Sequence, residues 1–246
     1  MIRKRKSEGR ILLSFLLFSL LLSALLVLFI GVSTHFSKKD STVNAPTKKH
    51  FTVVLDAGHG GEDGGAVGVN GVLEKDLNLA ITESVAQYLK EMGISVICTR
   101  SEDVLLYDKN ADYEGRKKML DLAARLKIAK ETENAIFVSV HMNSFPQTQY
   151  SGLQVYYSGN DPRSASLADL IQKRVREELQ PTNSRKTKAA ISSIYLLDRI
   201  TSPAILVECG FLSNPEECQK LSSEEYQDQL ARILAKTIAD YVSSLS

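Results

Sequence analysis

From residue 50 onward the sequence predicts an α/β fold: an open, mostly parallel sheet with helices on both faces, preceded by one N-terminal transmembrane helix. Three observations carry this expectation. Short apolar runs rich in β-branched residues alternate with segments of helical spacing, the pattern of doubly buried strands joined by crossover helices. Glycines and prolines punctuate the ends of those runs. One stretch near the N-terminus is uninterrupted by charge.

That stretch, Ile11 to Val32, holds 22 residues, 18 of them apolar. As a helix it extends about 33 Å, enough to cross a bilayer core. Arg3, Lys4, Arg5, Lys6 and Arg10 precede it, so the positive-inside rule keeps residues 1–10 as a basic cytoplasmic tail. The stretch is longer than a usual cleavable segment, and no A-x-A site follows. It reads as an uncleaved single-pass anchor in the cell membrane, with the domain beyond it extracytoplasmic. A cleaved signal peptide, and hence a secreted domain, is the alternative. Residues 33–49 are polar, contain Pro46 and read as a linker, and residues 50–246 form one domain.

Within that domain Phe51–Leu55 reads as the first strand. Leu77, Ile81, Val85, Tyr88, Leu89 and Met92 keep helical spacing until Gly93. Ile94–Cys98 is a second strand, and Met119, Leu122, Leu126 and Ala129 mark a second helix. Ala135–Val140 is a third strand, and Gly152–Tyr157 alternates as a strand at the sheet edge should. Leu167, Ile171, Val175 and Leu179 mark a helix stopped by Pro181. Ala204–Val207 is a further buried strand, and Tyr226, Leu230, Ile233, Leu234, Ile238 and Tyr241 line the last helix. Arg100 to Gly115 is the least regular segment and reads as a surface loop.

Charge narrows the function. Residues 1–45 hold seven Lys/Arg and two Asp/Glu, leaving 23 against 27 in the remainder. A mildly acidic domain has no electrostatic reason to bind nucleic acid. Three cysteines at irregular spacing build no disulfide framework and no Cys-x-x-Cys zinc site. Cys98 and Cys209 lie in apolar runs as buried thiols, with a Cys209–Cys218 bridge as the alternative.

The chemistry gathers at strand ends. His35 and His50 lie in the linker and before the first strand and look incidental. His59 follows the first strand in Asp56-Ala57-Gly58-His59-Gly60-Gly61, and His141 closes the third in Ser139-Val140-His141-Met142-Asn143. Glu208 ends another apolar strand in Leu206-Val207-Glu208-Cys209-Gly210. Ligands of open parallel sheets bind outside the carboxyl ends of the strands, so these three are candidates for one site. The glycine-rich loop after His59 matches neither phosphate-binding spacing and would instead leave room for a metal and a large substrate. Glu74, at the head of a helix, is a candidate ligand or a charge favoured by the helix dipole. Two histidines and a carboxylate leave tetrahedral zinc an open position for water, and a carboxylate that is not a ligand can act as general base.

The blocks Val54–Ala66, Leu73–Leu79, Val138–Ser144 and Pro203–Glu217 resemble the zinc-dependent N-acetylmuramoyl-L-alanine amidases, which trim bacterial peptidoglycan. The form Asp63-Gly64-Gly65-Ala66, on a short anchored chain without wall-binding repeats, most resembles the germination-specific, spore-cortex branch. The resemblance spans residues 50–243. It implies one zinc ion held by His59, Glu74 and His141, with Glu208 as catalytic acid/base. It also implies cleavage between the muramic acid lactyl group and L-alanine, preparing the sugar for muramic-δ-lactam. Asp56 and Asn143 are expected to orient ligands or fix loops. Ser144 and Cys209 depart from the small or aliphatic residues usual there, without touching the metal set. Some spore amidases of this kind need a lipoprotein partner. Two other classes stay open: a different zinc peptidoglycan hydrolase, such as a carboxypeptidase using Arg100 or Arg116 for a terminal carboxylate, and a non-enzymatic wall-binding or activator module.

Overall fold

The computed structural model describes residues 2–37, 50–107 and 115–245. The chain separates into two compact units, Met1–Thr47 and Lys48–Ser246. The described residues of the first form one helix, α1 (Ile2–Ser37). Its window Leu13–Ile30 has a mean hydropathy of 2.8, and by length and composition it is able to cross a membrane. Ser19 and Ser23 turn their hydroxyls back onto the carbonyls of Leu16 and Leu20, each at 2.9 Å, so these polar groups need no water. The helix runs past the expected anchor at both ends. Ser33–Ser37 continue the helix into the stretch read as a linker, because neither Gly nor Pro stands there to stop it. Residues 38–49 lie outside the described residues.

The second unit is the expected α/β sheet. Its strands are β1 (Thr52–Ala57), β2 (Ser95–Cys98), β3 (Ala135–Asn143), β4 (Gln154–Tyr157), β5 (Lys188–Ala189) and β6 (Ala204–Phe211). They lie in the order β2-β1-β3-β6-β4-β5. β2, β1, β3 and β6 are parallel, β4 runs antiparallel to β6, and β5 pairs parallel with β4. One face is covered by α2 (Glu74–Glu91), α4 (Arg163–Glu178), α6 (Pro215–Leu221) and α7 (Glu224–Leu245), whose apolar stripes meet Val53, Leu55, Val138, Val140, Ile205 and Val207. Among the described residues the other is covered by α3 (Lys117–Glu131) and the short α5 (Tyr195–Arg199), against Val54, Phe137, Ala204 and Leu206. This thinner layer leaves the strand ends on that side open.

Several sequence expectations shift. The strand expected at the edge, β4, is flanked by two-residue β5, which is too short to show a pattern. The edges are β5 on that side and β2 on the other, and the residues of β2 are half-buried or exposed. Met119 is 51% exposed and lies off the buried face of α3. Residues 101–107 are irregular as expected, and 108–114 lie outside the described residues. All three cysteines are free: Cys209 and Cys218 are buried and Cys98 half-buried, so there is no Cys209–Cys218 bridge. Burial pushes the Cys209 thiol far above its ordinary range. In native buffer Cys98 should therefore alkylate first, with Cys209 and Cys218 reacting only as the domain unfolds in urea. Labelling of Cys209 as fast as Cys98, read by mass spectrometry, would contradict this burial.

Candidate active site

The parallel strands deliver their C-terminal ends to one edge. β1 ends at Ala57, β3 carries His141, and β6 carries Glu208 directly opposite His141 in the ladder. After β1 the chain turns sharply. His59 has φ +62°, in the left-handed region that a side chain enters at a cost of about 1–3 kcal/mol. Arg125 holds it there, with Nη2 donating to the His59 carbonyl at 2.6 Å and Nη1 to the Ala57 carbonyl at 2.7 Å. Glycine is needed at two approaches: a Cβ on Gly58 would lie 2.2 Å from the His141 ring, and one on Gly65 would lie 2.6 Å from Glu74 Oε2.

Glu74 is the first residue of α2, where the helix N-terminus favours an anion. Its Oε1 lies 2.9 Å from His141 Nδ1 and 3.2 Å from His59 Nε2, and accepts from the Met142 amide at 3.1 Å. Its Oε2 accepts from the Ala66 amide at 2.8 Å. Burial alone would raise this carboxyl, but the hydrogen bonds and charges of the two imidazoles outweigh it and hold it well below the usual range. His59 shifts the other way: burial opposes its charge, and Glu74 and Asp63 together raise it. Its Nδ1 stands 3.0 Å from Asp63 Oδ2.

His59, Glu74 and His141 thus each present one ligand atom, all within 4.8 Å of one another. Two nitrogen lone pairs and a deprotonated oxygen around a common point are a donor set that fits a divalent transition metal. Glu208 differs from Glu74 in every respect that matters. It is half-buried, its Oε2 is enclosed without a hydrogen-bond partner, and burial raises its carboxyl to about 7. His141, His59 and Arg185 oppose that rise and Glu74 adds to it. A cleft of about 200 Å³ opens on the α3 and α5 side, with His59, His141, Ser139, Leu122 and Tyr195 in its wall.

Asp56 lies beneath the site. Its Oδ1 accepts from Thr99 Oγ1 at 2.7 Å and Arg125 Nη1 at 2.6 Å, and its Oδ2 from Ser139 Oγ at 2.6 Å. Arg125 also reaches Asp121 at 2.8 Å. Through Arg125, Asp56 is tied to the turn that carries His59. Asn143 contributes differently: its carbonyl accepts from the Leu212 amide at 2.8 Å, past a register shift in the β3–β6 ladder. Arg100 is buried and spends its guanidinium on the carbonyls of Ala57, Gly58, Lys75 and Glu102, bracing the His59 turn against α2. It is not placed as a carboxylate receptor, and Arg116 stands exposed at the start of α3. Asn78 adds a bond to the Gly58 carbonyl at 3.1 Å. The sequence reading overlooked Arg125 and Asn78; the one available signal for Arg125 was a charge on the buried stripe of α3, between Leu122 and Ala129.

Residues 53–240 match the family model described as N-acetylmuramoyl-L-alanine amidase. The chain belongs to that family. It is 40% identical over 189 residues to a germination-specific N-acetylmuramoyl-L-alanine amidase of Bacillus subtilis, covering 77% of this chain and 78% of the relative. The solved structure of the CwlD amidase from Clostridioides difficile, in complex with the GerS lipoprotein, matches with a TM-score of 0.74 at 37% identity, covering 79% of this chain and all of that one. The amidase AmiC2 of Nostoc punctiforme matches with a TM-score of 0.66 at 33% identity, over 78% of this chain and 97% of its own. The chain is therefore an N-acetylmuramoyl-L-alanine amidase acting on peptidoglycan, and the carboxypeptidase and binding-module alternatives give way.

The Asp56–Arg125 pair generates a stability prediction. Asp56→Asn removes a buried anion from beneath its guanidinium and should cost about 3–5 kcal/mol in urea unfolding. The folded-state carboxyl lies below its ordinary 3.8. Its contribution is therefore complete above that value and lost as pH falls through the lowered one. Wild type and Asp56→Asn should accordingly converge in stability only in strong acid. Equal stability of the two at pH 7 would contradict this role.

Proposed function

We propose that this amidase is a zinc hydrolase that cleaves the amide between the lactyl group of muramic acid and L-alanine. Its setting is the spore cortex, where the freed muramic acid becomes the precursor of muramic-δ-lactam during sporulation and serves germination. The observation that carries the reading is the meeting of His59, Glu74 and His141 beside a buried, unpartnered oxygen of Glu208. The family and the germination-specific relative support it.

The three converging side chains would hold one zinc ion, which when bound supplies Lewis acidity and a water nucleophile near neutral pH. Glu208 is the base: its free Oε2 takes the proton from the attacking water. The same carboxyl then returns that proton to the departing amine of L-alanine, leaving a carboxylic acid on the sugar and a free stem peptide. A carboxyl near 7 in the unliganded site is suited to move a proton in both directions. Asp56 and Arg125 keep His59 in its left-handed turn while this occurs.

In this reading residues 1–10 are a cytoplasmic tail, 11–32 a single-pass anchor, 33–49 a linker, and 50–246 the catalytic domain on the extracytoplasmic side. The apolar window Leu13–Ile30 supports the anchor. A lipoprotein partner, such as the C. difficile amidase has in its solved complex, would help bring the enzyme to its wall substrate.

The full-length chain in detergent, incubated with purified peptidoglycan, should release stem peptides that begin at L-alanine. Glu208→Ala should keep its zinc and lose at least about 10²-fold in turnover. His141→Ala should lose the metal. Released peptides that still carry the lactyl group, or a metal-free but folded Glu208→Ala, would overturn the assignment.

A further inference from the structure

The sheet face that carries His141 and Glu208 also carries Gln154, opposite Glu208 in the β4–β6 ladder. Arg185, between α4 and β5, lays its guanidinium over the Phe211 ring, 4.7 Å from the centroid. It donates from Nε at 3.2 Å and Nη2 at 2.6 Å to Gln154 Oε1. The Gln154 amide is locked in turn by a 2.7 Å bond from Nε2 to the Lys186 carbonyl. The backbone of Arg185 is held at both ends: its amide donates to Asn183 Oδ1 at 2.9 Å and its carbonyl accepts from Arg176 Nη2 at 2.7 Å.

The groups that touch this guanidinium are neutral, an amide oxygen on one side and an aromatic face on the other, while Glu208 and Glu217 feel its charge without contacting it. No carboxylate among the described residues pairs with it. The two bonds to Gln154 leave about three of its five N–H donors for another group. A half-buried, pre-positioned planar cation with no carboxylate hydrogen-bonded to it matches a carboxylate ligand, which a guanidinium takes through two parallel hydrogen bonds.

We propose that Arg185, braced by Gln154 and Phe211, is the subsite for a free carboxylate on the stem-peptide residue that follows L-alanine. The proposal rests on the amide assignment above. Gln154 lies one strand beyond Glu208, a step of about 4.8 Å, and an extended peptide advances about 3.3–3.6 Å per residue. A carboxylate one residue past the scissile amide is therefore the one within reach. The subsite would favour an acidic second residue over its carboxamide and so select stem peptides by their amidation state.

The test is calorimetric titration of the full-length chain in detergent with two synthetic stem tripeptides, identical except for a carboxylate or a carboxamide at the second residue. The acid should bind about tenfold more tightly, the worth of a charge-assisted pair at a partly exposed site. Arg185→Gln should abolish that preference, and Arg185→Lys, which keeps the charge without the fork, should retain part of it. Equal binding of acid and amide by the wild type, binding of neither, or a full preference in Arg185→Gln would overturn the subsite. If Arg185→Gln fails to fold, Arg185→Lys decides by whether the preference falls. Release of L-alanine-initiated peptides from whole peptidoglycan is read separately. Its failure with the acid preference intact would strike the amide assignment and leave the subsite standing.

Discussion

A carboxylate at the end of a buried strand holds this active site in place. Asp56 has no access to solvent, and its charge is met by Arg125, Thr99 and Ser139. Through them it ties β1 to α3, to the residue after β2, and to β3. Arg125 then extends the tie to the carbonyl of His59, the one residue of the proposed metal set in a left-handed conformation. Buried ion pairs contribute little net stability, because desolvation offsets most of their attraction. Here the pair has a positional use: the guanidinium fork fits the carbonyls of a turn that would otherwise relax. Arg100 and Asn78 grip the same turn from the α2 side.

Upon that base two glutamates acquire opposite characters. Glu74 sits at a helix N-terminus between two imidazoles and is held as an anion, while Glu208 is enclosed beside apolar strands and is pushed toward the neutral form. Environments that drive two carboxyls apart separate their roles: a fixed anion suits a ligand, and a carboxyl near neutrality suits a proton carrier. The sheet supports this division, since His141 and Glu208 are ladder partners and cannot drift relative to each other.

Much of this was legible from the chain alone, for physical reasons. Strands buried on both faces must be apolar throughout, so β1, β3 and β6 stood out, and histidines interrupting such runs marked the open edge. Two-residue β5 and five-residue α5 are shorter than the periods that would reveal them. Arg125 was hidden because it is a charge on a buried face, a position that periodicity assigns to apolar residues. Which glutamate would bind metal and which would move protons was not readable from spacing. Family resemblance implied the proposed division, and the contrast in burial and hydrogen bonding is the observation that supports proposing it. Gln154 and Arg185 lie on different segments and meet only in the folded sheet.

The most direct test of the account is X-ray absorption at the zinc edge on the purified full-length chain, with His141→Ala measured alongside. The account predicts two imidazoles and oxygen donors around zinc in the wild type, no sulfur, and loss of bound zinc in the variant. Sulfur coordination, or an unchanged zinc environment in His141→Ala, would mean that the metal sits elsewhere and that the His59–Glu74–His141 cluster is not the catalytic centre.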